Sequence, residues 1–349
     1  MNTNEVCKSL NITSKTLITY EKYDLVVPAR EANNYRNYTN SDIGKLRTII
    51  LLKELGFSLK EIKNLIVKIS NTNNNFTRGL YLQLKAVERK LEELENVKLT
   101  LKENIDKILE TESEINYETF INNVDISLKD NKKNRKKWID MWGFDNKAVK
   151  YDKMVKDRQN DELGLFESYD EILSDIRKRV IAHGAEIVID IGCGTGNLCG
   201  ELSDKIGIIG IDQSLEMLLQ AKKKYSKMEL KLGNFLDKPF RKNDVDMVVT
   251  TYAFHNLNYD EKKAAIKNMM GYLKEDGKII IGDFMFLDKE EREACKRALL
   301  SKGKKELWEV IDCKYYSYIT ELKKYVNSLD YKINCEHVVN FTWIIEIVK

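Results

Sequence analysis

Asp190-Ile-Gly192-Cys193-Gly194-Thr-Gly196 spaces three glycines at every second position directly behind the apolar run Ile187–Ile191. Between a strand and a helix, such glycines let the backbone turn sharply and come close to a ligand. Asp212 ends the next apolar run, Ile208–Ile211, at the distance of roughly 20 residues where a carboxylate can accept both hydroxyls of a ribose. A nicotinamide enzyme would use such an acid in the same way, so the loop spacing has to separate the two cases. The dinucleotide form G-x-G-x-x-G requires glycine at 197, and that residue is Asn197.

The elements that must position this loop are readable from the pattern around it. Short apolar runs bounded by Gly or Asp recur at 187–191, 208–211, 246–250 and 278–282, with helical spacing between most of them, as in Glu216–Tyr225 and Asp260–Leu273. This predicts an α/β domain built on a parallel sheet covered on both faces. Two further strands are expected in the tail, near Tyr331–Val338 and Phe341–Val348.

The Asp-x-Gly-x-Gly-x-Gly loop resembles motif I of class I methyltransferases, and with it the domain resembles their Rossmann-like fold. The resemblance implies S-adenosyl-L-methionine as cofactor, with Asp190 and the backbone of Gly192, Cys193, Gly194 and Gly196 holding its methionine moiety. It further implies that Asp212, Gln213 and Met217 line the ribose and adenine, and that Asn234 and Phe235 replace the usual Gly-Asp-apolar stretch at the adenine. Thr251-Tyr-Ala-Phe-His255-Asn-Leu257, Asp283, the segment Phe144–Asp152 and the tail Phe341–Glu346 are similar to small YrrT-like methyltransferases. In that group the Tyr151 region forms a lid, and the acceptor is expected to reach the sheet edge beside Thr251. Methyl transfer depends mainly on proximity and needs a base only when the nucleophile must lose a proton. His255 is the candidate base, and the alternative is a pocket histidine bonded to backbone. DNA is not the expected acceptor: the chain's only prolines, Pro28 and Pro239, supply neither a Pro-Pro-aromatic motif nor a Pro-Cys nucleophile. A small-molecule acceptor is expected. The other reading is a sensor that binds S-adenosylmethionine or S-adenosylhomocysteine without turnover.

Residues 3–69 read differently, as short helices with a brief extended interlude. Thr3–Leu10 has helical spacing, Ser14 is placed to cap a second helix, and Val26-Val27-Pro28 breaks it. Asn33–Tyr38 is turn-rich, Ser41-Asp42 starts another helix, and Ser58-Leu-Lys-Glu61 forms a capping box for the next. Two helices and a tight turn within so short a span follow the helix-turn-helix plan. Thr13–Leu17, Tyr20–Lys22, Pro28–Arg30, Tyr35–Tyr38 and Leu52–Leu59 together resemble the MerR family of transcriptional regulators, a winged helix-turn-helix fold. That resemblance places Lys15, Thr16 and Tyr20 on the helix that reads operator DNA, and Tyr35, Arg36 and Tyr38 on a wing that grips its backbone. Ile18 and Thr19 stand where the family usually has an arginine and an aromatic, so a DNA contact is altered there.

Leu80, Leu84, Val87, Leu91, Leu94, Lys98, Leu101, Ile105 and Ile108 alternate by four and three. This is a heptad seam with one polar position, and it predicts a homodimer joined through a coiled coil over 80–108. Lys129–Lys137 is a charge run without apolar periodicity, read as linker. The expected division is a head at 1–75, a dimerisation helix at 76–115, a linker at 116–140 and a methyltransferase domain at 141–349.

Bulk properties agree with a multidomain cytoplasmic protein. At 349 residues the chain exceeds one typical domain. Residues 1–79 carry 12 Lys and Arg against 7 Asp and Glu, a net of +5, so the other 270 residues sum to −2 within the total of +3. A basic head on a near-neutral body suits nucleic-acid contact. No apolar stretch is long enough to span a bilayer, and no signal-peptide layout opens the sequence. Six dispersed cysteines without a CxxC pair predict free thiols and no metal site.

Overall fold

The computed structural model describes residues 1–30, 34–60, 62–63, parts of 77–102, 147–157, 161–237 and 244–349. Contacts divide the chain into two compact units, Met1–Trp138 and Ile139–Lys349.

In the first unit, α1 (Thr3–Leu10) and α2 (Ser14–Lys22) precede a two-stranded wing, β1 (Ala29–Arg30) and β2 (Arg36–Asn37), and α3 (Asn40–Glu54) follows. Side chains set the ends of the helices. Asn2 and Glu5 form a capping box on α1, and Thr39 and Asp42 form one on α3. Thr13, not Ser14, caps α2: its hydroxyl accepts the Thr16 amide at 3.1 Å. Likewise α3 begins at Asn40, slightly before the expected Ser41. Val6, Leu46, Ile49 and Leu52 are fully buried and tie the helices to one core. The Ser58 carbonyl accepts the Ile62 amide at 3.0 Å, but Glu61 of the expected capping box lies outside the described residues.

Described positions between 77 and 102 are helical, and Leu80, Leu84, Val87, Leu91, Leu94 and Leu101 are exposed along them. Ile105, Ile108, the 116–140 linker with its charge run, and Phe144 lie outside the described residues.

The second unit opens with α4 (Tyr151–Asp157) and α5 (Tyr169–His183), then alternates strand and helix: β3 (Ile187–Ile191), β4 (Gly207–Asp212), α6 (Leu215–Lys224), β5 (Glu229–Leu232), β6 (Val245–Thr251), α7 (Tyr259–Tyr272) and β7 (Leu273–Phe286). After α8 (Lys289–Ser301), α9 (Lys305–Asp312), β8 (Ser317–Tyr318) and α10 (Ile319–Asn327), the chain returns as β9 (Lys332–Val339) and β10 (Thr342–Val348). The sheet order is β5-β4-β3-β6-β7-β10-β9, with β8 beside β7. The expectation of a parallel sheet needs correction at one side. β5 to β7 are parallel, but β10 pairs antiparallel with both β7 and β9. The short Asp330 and Asn340 turns allow this return, since both residues adopt positive φ. Two apolar clusters, one per sheet face, hold the helices against the strands. Arg179 on α5 binds Glu346 of β10 at 2.8 Å and Glu336 of β9 at 2.6 Å, which fastens the returning strands to the first helix layer. Among the described residues, no helix is long and apolar enough to cross a membrane.

Candidate active site

Strands β3, β4 and β6 end together, and parallel sheets bind ligands at such carboxyl ends, where the strand order reverses. The glycine loop leaves β3 there. The amides of Gly192 and Cys193 donate to the Ile211 carbonyl at 2.8 and 3.0 Å, which folds the loop over the end of β4. The Gly194 amide donates to the Asp212 carboxylate at 2.9 Å, and the Ser214 amide donates to its other oxygen at 2.8 Å. Gly192 sits at φ +74°, and a Cβ there would lie 2.4 Å from the Ala253 methyl. Gly194 sits at φ +53°, where a Cβ would meet only open space. The first glycine is therefore needed for packing and turn together, and the second for the turn alone.

The loop borders a cavity of about 290 Å³. Of the residues expected to hold the cofactor, Tyr151, Gly192, Gly194, Asp212, Gln213, Met217, Asn234, Phe235 and Thr251 line it. Asp190, Cys193 and Gly196 do not, and all three are buried. Cys193 carries a thiol pushed well up by burial, so it stays neutral and packs as an apolar group. Phe235 meets Phe254 edge to face, with ring centroids 5.8 Å apart. The Asn234 carbonyl oxygen already accepts the Leu236 amide at 2.8 Å, which leaves one lone pair for a ligand. A carboxylate, a loop open to close approach and an apolar aromatic wall together suit a nucleoside: diol on Asp212, base against Phe235.

Asp190 is the most unusual group. It is 1% exposed, and neither carboxylate oxygen has a hydrogen bond of ordinary geometry. Burial first and the Asp212 charge second push its pKa up to about 7, with only weak compensation from the Cys199 thiol and amide.

Some of the structure's work falls to residues that the sequence pattern did not single out. Asp152, next to Tyr151 on α4, accepts the Thr195 hydroxyl at 2.6 Å, the Asn197 amide at 3.0 Å and the Lys224 ammonium at 2.7 Å. Burial opposes its charge, but these partners outweigh burial and hold the carboxyl below its usual range. Asn197, the residue that breaks the dinucleotide spacing, thus ties the glycine loop to the Tyr151 segment. Tyr252 lines the cavity at φ +52°, a conformation that costs a non-glycine residue energy. Its ring stacks on Tyr169 at 5.4 Å and touches Phe284 at 5.1 Å.

His255 is buried and does not line this cavity, although Ala253, Asn256 and Leu257 around it do. Its main partner is a carboxylate. Nδ1 lies 2.6 Å from Asp283, whose other oxygen accepts the His255 amide at 2.8 Å. An ionised carboxylate can only accept, so Nδ1 carries the proton and Nε2 is left as the basic nitrogen.

In the head, the six residues expected to meet DNA fall into distinct settings. Lys15 and Tyr35 are exposed, and Tyr35 is 70% so. Thr16 is half-buried with its hydroxyl 2.9 Å from that of Thr13. Tyr20 and Tyr38 pack into the core, which leaves their rings no open face. Arg36 is paired with Glu21 of α2 at 2.7 Å, and Arg30 joins the same carboxylate at 3.1 Å. These two arginines fasten the wing to the second helix.

Residues 188–277 match the family model described as methyltransferase domain, and residues 1–68 match the MerR HTH family regulatory protein. An uncharacterized methyltransferase of Alkaliphilus oremlandii is 35% identical over 211 residues, covering 59% of this chain and 95% of the relative. One from Oceanobacillus iheyensis is 32% identical over 207 residues, with 59% and 95% covered. Among solved structures, the DhpI-SAM-HEP complex is 16% identical, with a TM-score of 0.43 over 59% of this chain and 94% of that one.

The buried Asp190 generates a pH-dependent prediction. Below about pH 4, near the ordinary carboxyl value, folded and unfolded chains both keep its proton. Between there and about pH 7 only the folded state keeps it, so stability falls as pH rises and levels off above that value. Replacing Asp190 with Asn removes the charge and hence the slope. The stability of Asp190→Asn is expected to gain on that of the unmodified protein between pH 5 and pH 8, by at most about 3 kcal/mol. A constant difference across that range would refute the buried charge.

Proposed function

The chain belongs to the methyltransferase family and carries a MerR-type helix-turn-helix head, and on that premise we propose a cytoplasmic, DNA-binding transcriptional regulator whose second unit methylates a small molecule with S-adenosyl-L-methionine. The observation that carries the catalytic half is the cavity bordered by the glycine loop, Asp212 and Phe235. S-Adenosylmethionine, when bound, supplies a methyl group activated by a sulfonium centre. The residues present fit that group. Asp212 puts a carboxylate on the cavity wall for the ribose hydroxyls, and Phe235 puts an aromatic face there for the base. Tyr151, fastened to the loop through Asp152, covers the site.

For the transfer itself the protein's work is alignment. The bulky cluster of Tyr252, Tyr169, Phe166 and Phe284 excludes water beside the cavity. His255, buried behind the cavity wall and bonded to Asp283 through its amide and Nδ1, holds the Ala253–Leu257 wall in place. We place the head at 1–75 and the methyltransferase unit at 141–349, with the heptad seam and the charge run of the sequence between them. Exposed leucines at heptad spacing support a homodimer formed through the 80–108 helix. Operator binding rests on Lys15 and Tyr35, the exposed members of the expected contact set.

Calorimetry of the full chain tests the cofactor half. Asp212→Ala is expected to weaken binding of S-adenosylmethionine and S-adenosylhomocysteine by about hundredfold or more, since two hydrogen bonds to a charged group are lost. Undiminished affinity would overturn the site. The DNA half is tested on a duplex selected from random sequence by the full-length protein. Lys15→Ala should lower affinity and reduce the slope of log affinity against log salt by about one. An unchanged slope would remove Lys15 from the interface.

A further inference from the structure

The second helix of the head turns one face to solvent. Ser14, Lys15, Ile18 and Lys22 of α2 are exposed, and at about 100° per residue they fall within one arc of about 100°. Leu17 and Tyr20 pack the other way, into the core of the head. The polar groups beside the exposed arc are already engaged. The Thr13 hydroxyl accepts the Thr16 amide and lies 2.9 Å from the Thr16 hydroxyl. The Thr19 hydroxyl donates to the Lys15 carbonyl at 2.9 Å. Glu21 is held by Arg30 and Arg36, and Asp24 pairs with Lys63 at 2.8 Å. Among the described residues, neither Lys15 nor Lys22 forms an ion pair.

Ile18 stands between these two cations, one turn from each, and is 41% exposed. A lone aliphatic residue on a surface is ordinary. One flanked by two unpaired lysines on the same helix face matches a narrower class of partner, a polyanion that also presents apolar groups. The lysines are about 10.5 Å apart along the helix axis, at about 1.5 Å per residue. That span is close to the roughly 12 Å width of the DNA major groove. The ammonium groups then suit phosphates at its sides, and Ile18 faces the base edges. The donors and acceptors of guanine, adenine and cytosine would lose water to isoleucine without gaining a hydrogen bond, which is unfavourable. The 5-methyl group of thymine is the apolar group displayed in that groove.

We propose that Ile18 is a specificity-determining residue of the head, selecting thymine at the facing position of the operator through contact with its 5-methyl group. The inference rests on the DNA-binding reading above. Lys15 and Lys22 contribute affinity that is independent of sequence and weakens with salt. Ile18 contributes the base preference.

Full-length protein is used to select a duplex from random sequence. Each thymine of that duplex is then replaced singly by deoxyuridine, which keeps the base pair and removes the methyl group. Affinities are compared at one fixed salt concentration. At one thymine per bound head, the replacement is expected to weaken binding about fourfold, the value of one buried methyl group. Ile18→Ser should bind the thymine and deoxyuridine duplexes equally at that position, with its salt dependence unchanged, and Ile18→Val should keep the discrimination. Absence of any thymine with this dependence, or the same dependence in Ile18→Ser, would overturn the role of Ile18 while leaving DNA binding intact. Failure to select any duplex would overturn the DNA-binding reading and this inference with it.

Discussion

The bond from the Gly194 amide to the Asp212 carboxylate joins the ends of two neighbouring parallel strands, and the rest of the site depends on it. Asp212 closes β4, and Gly194 is the middle glycine of the loop that leaves β3. One carboxylate oxygen fixes the loop and the other fixes the start of α6 through the Ser214 amide. A hydrogen bond to a charged group contributes about 1.5–3 kcal/mol, enough to hold a glycine-rich turn that would otherwise sample many conformations. The arrangement has a cost. It brings Asp212 near the buried Asp190, and the second charge helps to raise the pKa of the first. A site that concentrates negative potential under an open loop is adapted to a ligand carrying positive charge.

A second layer of contacts controls what covers that loop. Asp152 gathers Thr195, Asn197 and Lys224, so α4, the glycine loop and α6 meet at one carboxylate. Tyr151, the neighbour of Asp152 on α4, lines the cavity. On the far side, Tyr252 is held at positive φ by packing against Tyr169 and Phe284. Strain of this sort persists only where surrounding structure over-determines it, and here the determinants are aromatic rings contributed by α5 and β7.

Much of this was legible in the sequence because it is local. The glycine spacing, Asp212 at the end of a strand, and the apolar runs of β3, β4 and β6 are short-range patterns, and nine of the residues to which the methyltransferase resemblance extended them line one cavity. The capping residues of the head were less so: Thr13 and Ser14 are adjacent and chemically alike, and only backbone geometry separates them. What escaped is tertiary. Glu229–Leu232 is a short strand with two charged residues, recognisable only from its pairing with β4. The antiparallel return of β10 depends on long-range register. Asp152 and Asn197 lie 45 positions apart, so their bond left no periodic trace. The MerR resemblance placed Arg36 on the wing, but the Glu21 carboxylate that engages it sits 15 positions earlier and left no local trace.

Two units of different chemistry in one chain invite a link between cofactor supply and DNA binding, and any such link begins with cofactor recognition. Equilibrium dialysis of the full-length protein with radiolabelled S-adenosylmethionine measures that step directly. One equivalent bound per chain, displaced by S-adenosylhomocysteine and indifferent to excess NAD, is the expected result. No binding, or displacement by NAD, would contradict the assignment of the glycine loop.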